Sequence, residues 1–163
     1  MIEIVGSQHK KITELIAALG LRGSLYTIAG SDWVPSYGLA RSLRLKTVEV
    51  KRVLDRTRLA RAFTCYQMLD LLASTRPDGN PVLVLNFLHT FYSPDIPLHV
   101  RMRVLKQCCQ HLERLSYYEP VAVLIEQTTE DDYQRFHQVV SPIADEIFQM
   151  DEDREEIFQP ALF

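Results

Sequence analysis

Apolar and polar positions follow two periods along this chain, and the alternation between them predicts its elements. Short apolar runs at Ile2–Val5, Leu25–Ala29 and Val121–Ile125 predict strands. Between them, Ile12, Leu15, Ile16 and Leu19 recur at helical spacing and predict a helix over Lys11–Leu19 that Gly20 closes. Pro35 suits the first turn of a helix running towards Leu43. Thr57–Arg61 predicts a short strand, and Cys65–Ser74 a helix with Met68, Leu69, Leu71 and Leu72 facing inward. The turn Arg76-Pro-Asp-Gly-Asn-Pro81 introduces the run Val82–Leu88, which predicts a central strand buried on both faces. A long helix over Leu98–Tyr117, a helix over Asp131–Val140 and a last strand over Ala144–Met150 complete the series. Strands alternating with helices imply an α/β fold with a mainly parallel sheet covered by helices. One domain is expected over residues 1–150, followed by an acidic tail over 151–163.

Composition narrows the function classes. Among 163 residues, 47% are hydrophobic and 24% charged, the balance of a soluble globular domain. The longest uncharged apolar run, Pro81–Leu88, is too short to cross a membrane, and the N-terminus carries no secretory pattern, so a cytoplasmic location is expected. Cys65, Cys108 and Cys109 have no metal-ligand spacing; buried reduced thiols are expected, with no metal. His89, His99, His111 and His137 are scattered, and Ser7 and Ser31 lack the context of a hydrolase nucleophile.

Charge is unevenly spread. Arg41, Arg44, Lys46, Lys51, Arg52, Arg56, Arg58 and Arg61 stand against only Glu49 and Asp55, whereas residues 126–156 are strongly acidic. The basic segment is a candidate DNA-contacting surface, joined by Arg101 and Arg103; the alternative is a solvated basic face.

The order of elements and four local segments resemble the RecA-like recombinase ATPases. Ile4-Val-Gly-Ser-Gln-His-Lys-Lys-Ile-Thr13 stands where that family has its phosphate-binding loop, and Tyr26–Pro35 where it has an acidic strand end followed by an aromatic residue and a proline. Leu59-Ala-Arg-Ala-Phe-Thr-Cys-Tyr-Gln67 looks like the Ala-Arg-Ala-Phe segment of eukaryotic and archaeal recombinases. Val82–Leu88 and Val121–Gln127 look like the second nucleotide-binding strand and the strand ending in the family's coupling glutamine. The resemblance implies a three-layer core related to the P-loop NTPases, shortened at its C-terminal end.

It also implies a degenerate nucleotide site. Gly6 and Thr13 are in register with G-x-x-x-x-G-K-[ST], but Lys11 stands at the second glycine and Ile12 at the lysine. Gly30 falls where the family's water-orienting acid lies, and Asn86 where its metal-linked aspartate lies. Gln127 keeps the family glutamine, although the segment after it is short and acidic. Without the lysine and both acids, phosphoryl transfer loses its electrostatic stabilisation. The expectation is a pseudo-ATPase without a cofactor. The rival is an ATP-binding, DNA-binding protein that uses Lys10 or Lys11.

At the end of the chain, Gln159-x-x-Leu162-Phe163 resembles the peptide by which bacterial repair proteins dock on the sliding clamp; the alternative is that these side chains fold back on the domain. Together the resemblances imply an accessory protein of DNA repair or recombination, including translesion synthesis. Its expected partners are repair proteins, the sliding clamp with a polymerase, DNA, and further copies of itself.

Overall fold

The computed structural model describes residues 1–6, 9–31 and 33–150. Six strands form one sheet: β1 (Ile2–Val5), β2 (Leu25–Ala29), β3 (Thr57–Arg61), β4 (Val82–Leu85), β5 (Val121–Ile125) and β6 (Glu146–Gln149). Six helices connect them: α1 (His9–Arg22), α2 (Ser36–Arg44), α3 (Val50–Asp55), α4 (Cys65–Ser74), α5 (Leu98–Ser116) and α6 (Tyr133–Val140). Every strand pair is parallel, in the order β3-β2-β4-β5-β1-β6. This is the three-layer α/β arrangement of a RecA-like core.

The layers follow from the two-residue period of the strands. Val82 and Val84 of β4 face a cluster with Met68 and Leu72 of α4, Leu112 and Leu115 of α5, and Phe136 of α6. Leu83 and Leu85 face the opposite cluster, with Ile12 and Ile16 of α1, Leu43 of α2 and Val53 of α3. Each such side chain contributes roughly 1.5–3 kcal/mol when removed from water. The chain leaves β1 and β2 towards one layer and β3, β4 and β5 towards the other. Neighbouring strands that feed opposite faces open a crevice at their carboxyl ends, where open α/β sheets bind ligands. One such crevice lies between β1 and β5.

Two expected boundaries are corrected. Gly20 does not end α1: the helix runs on to Arg22, and the bare Cα of Gly20 lets Val53 and Thr57 come close. The strand expected over 82–88 stops at Leu85, because Asn86 takes left-handed angles (φ 48°, ψ 46°) and starts a 3-10 turn over Phe87–Phe91. Four of that turn's five residues are buried, so apolar content alone could not separate turn from strand. The acids before α6 are not all solvated, since Asp132 is half-buried and paired with Arg101 at 3.0 Å.

The segment that carried the Ala-Arg-Ala-Phe resemblance ends β3 and caps α4. Ala62 is fully buried, and the Thr64 hydroxyl accepts from the Gln67 N–H at 3.2 Å while the Gln67 side chain accepts from the Phe63 N–H at 2.7 Å. All three cysteines are buried free thiols; burial pushes Cys109 up to about 12 and raises Cys65 and Cys108. No described helix is long and apolar enough to cross a membrane.

Candidate functional site

The residues that the resemblance assigned to a triphosphate lie at the carboxyl ends of the strands: Gly6, Lys10, Lys11, Ile12, Thr13 and Gln127 beside the β1–β5 crevice, and Gly30 with Asn86 where β2 meets β4. Gly6 ends β1 at φ +142°, donating its N–H to Ile125 O at 3.0 Å. A Cβ on Gly6 would stand 2.8 Å from Cβ of Met150, so the glycine is required by the neighbouring chain as well as by its angles. Helix α1 has begun by His9, which places Lys10 and Lys11 in its first turn, both exposed. Ile12, at the position of the family's lysine, is only 2% exposed and packs in the α1–α3 cluster. Thr13 donates its hydroxyl back to His9 O at 2.7 Å within the helix. That bond occupies the hydroxyl's only proton, and its oxygen lies on the α2 side of α1, near Gly38.

The acid positions are closed in a different way. Gly30 is buried at the end of β2, where its N–H donates to Leu85 O at 2.8 Å. A Cβ there would sit 2.5 Å from the backbone oxygen of Asn86, so no side chain fits. Asn86 is buried, and its side-chain amide donates to Ser31 Oγ at 3.0 Å. Gln127 lies beyond β5 and is exposed. The structure thus brings Gly30 and Asn86 into contact but gives neither a charge. Ser7 and Gln8 of the presumptive loop lie outside the described residues.

The candidate DNA-contacting cations divide by burial. Arg41 and Arg44 on α2, Lys51 and Arg52 on α3, Arg58 on β3 and Arg103 on α5 are exposed. Arg52 pairs with Glu49 at 3.2 Å, and the ammonium of Lys46 pairs with Glu14. Two of the assigned arginines bond within the fold. The Arg56 guanidinium donates to Gly20 O and Leu21 O at 2.9–3.1 Å, satisfying carbonyls at the end of α1. Arg101 is buried, donating to Ile96 O and Phe91 O at 2.8 Å and pairing with Asp132. In both, most of the guanidinium's donors serve carbonyls or a carboxylate of the fold.

Two arrangements went unrecognised in the sequence. Glu3, fully buried in β1, places Oε1 2.6 Å from Nε2 of His137 on α6, whose ring stacks on Tyr133. Their separation in sequence gave no signal for that pair. Beside the crevice, the first turn of α1 and the exposed side of α2 enclose an open groove of about 710 Å³, lined by His9, Lys10, Trp33, Tyr37 and Arg41 among others. A second cleft, about 580 Å³, lies at the amino ends of the strands and mixes Arg58 and Arg76 with Asp55, Asp78 and Glu119. The described residues contain no cluster of metal-ligating side chains. Gln159, Leu162 and Phe163, assigned to the clamp peptide, lie outside the described residues. Compared with known proteins, the chain matches no family model, and no curated protein is significantly similar to it.

Proposed function

We propose that this chain is a non-catalytic, RecA-like accessory protein of DNA repair or recombination, acting through protein contacts rather than nucleotide turnover. One observation carries the reading: the position reserved for the phosphate-binding lysine holds Ile12, an apolar side chain 2% exposed and packed against the sheet. A triphosphate meets no cation there. Gly30 and Asn86 support the same reading, because the first has no room for an acid and the second has committed its amide to Ser31. Each lost electrostatic partner is worth about 2–4 kcal/mol of transition-state stabilisation, so three losses remove hydrolysis at a useful rate. Among the partners proposed, the sliding clamp and its polymerase would be engaged through Gln159, Leu162 and Phe163.

Calorimetric titration with ATP and Mg²⁺ tests the proposal directly. The expected result is no saturable heat up to millimolar nucleotide. Metal-dependent binding in the micromolar range overturns it and favours an ATP-binding protein that uses Lys10 or Lys11.

A further inference from the structure

From the α1–α2 groove we infer a binding site for single-stranded nucleic acid. The groove joins ring faces to uncommitted cations. The His9 imidazole lies over the Trp33 indole, with ring centroids 4.0 Å apart and planes within 14°. Trp33 packs inward on the α1–α3 cluster while His9 is exposed, so the imidazole forms the outer layer of the stack. Across the groove, Tyr37 is 79% exposed, far more than packing would leave it. Tyr37 and Arg41 are four residues apart on α2 and share one face.

The electrostatics favour an anion along the same path. Lys10 and Arg41 line the groove, and among the described residues neither makes an ion pair. Glu14 is the acid of the described lining, and it already accepts hydrogen bonds from the Ser42 hydroxyl at 2.8 Å and from the Lys46 ammonium. Arg44 extends the basic track one turn further along α2. Aromatic faces alternating with cations are what a flexible polynucleotide requires: every base has a face that stacks, and the backbone carries charge at regular intervals. An acidic peptide would use the cations and leave Tyr37 and the imidazole face without partners. No triphosphate cradle is needed, so the groove and the proposed loss of ATP binding fail or stand separately.

Trp33 is the only tryptophan of the chain and sits under the groove, which makes its emission the natural reporter. The full-length protein is titrated at low salt with short thymidine and uridine oligonucleotides, following Trp33 emission and the anisotropy of labelled strands. Saturable quenching that weakens with salt is expected, whichever sugar binds more tightly; the preference identifies DNA or RNA as the source. Tyr37→Ala should weaken binding about tenfold through lost stacking. Arg41→Glu should weaken it further, and Arg41→Gln should lower the slope of log K against log salt by about one. Both positions are exposed, so the variants should keep the parental melting temperature, and Arg52→Glu on α3 serves as a charge control outside the groove. The inference is overturned if no oligonucleotide binds, or if Tyr37→Ala and Arg41→Glu bind as the parent does. It is also overturned if thymidine monophosphate or inorganic phosphate quenches Trp33 as effectively as the strand, or if polyglutamate competes equally well.

Discussion

The β1–β5 crevice and the α1–α2 groove share one turn of α1, and they differ in what that turn offers a ligand. Towards the sheet it presents Ile12, buried; away from the sheet it presents His9 and Lys10, with Thr13 on the α2 side bonded back to His9 O. At the neighbouring carboxyl ends of β2 and β4 the polar groups likewise have partners within the fold: Gly30 N–H with Leu85, the Asn86 amide with Ser31. In the groove the cations and ring faces remain uncommitted. A motif in register therefore reports position along the chain, while helix phase decides whether a side chain meets solvent or core.

The largest effect expected from breaking this contrast comes from restoring an acid to the carboxyl end of β2. Gly30→Asp puts a Cβ 2.5 Å from the Asn86 backbone oxygen, and neither backbone can yield without separating β2 from β4. The carboxylate would also be buried beside a carbonyl. A loss of about 3 kcal/mol or more in urea unfolding is expected. A loss below about 1 kcal/mol would show that the ends of β2 and β4 have room after all, and the closed acid position would have to be abandoned.

The same division runs through the cations and can be sharpened by a paired substitution on α5. Arg101→Met strands the carbonyls of Phe91 and Ile96 and leaves Asp132 only the exposed Arg135 at 3.6 Å, for an expected cost of about 2–4 kcal/mol. Arg103→Met, two residues on and exposed, should stay within about 0.5 kcal/mol of the parent. Equal costs would mean that Arg101 is as superficial as its neighbour.

Arg101 also marks the limit of what the sequence made legible. Apolar runs and helical spacing located the central strands and the long helices, because burial on one or both faces writes directly into the apolar pattern; the edge strands β3 and β6 are largely exposed, and the short α3 left no such signal. The order of those elements was enough to indicate the three-layer core. Spacing does not show which arginine turns inward, since Arg101 and Arg56 satisfy carbonyls that no local pattern exposes. Nor does it show that Gly30 meets Asn86 or that Glu3 meets His137, contacts made only once the sheet has assembled. The groove was equally hidden: no spacing shows that Trp33 stacks with His9 or that Tyr37 stands exposed beside them.

The smallest effect tests the seam between the two regions, where Glu14 on α1 ties to Ser42 and Lys46 across to α2. The Lys46 ammonium, then the Ser42 hydroxyl, hold the Glu14 carboxyl below the ordinary glutamate range. A folded-state pKa that is depressed contributes stability above the unfolded-state value and loses it as pH falls through the folded one. Glu14→Gln should therefore melt slightly below the parent at pH 7, and the gap should begin to narrow as pH drops below about 4, where the unfolded-state carboxyl takes up its proton, and close once the folded-state carboxyl is protonated too. Because the pair is solvent-exposed, added salt should narrow the gap at neutral pH. A gap that persists unchanged at pH 3 would mean that α1 is joined to α2 by the shape of the hydrogen bonds and not by charge. In that event Glu14 would no longer be held in place by its attraction to Lys46, and as an acid lining the groove it would oppose a phosphate there.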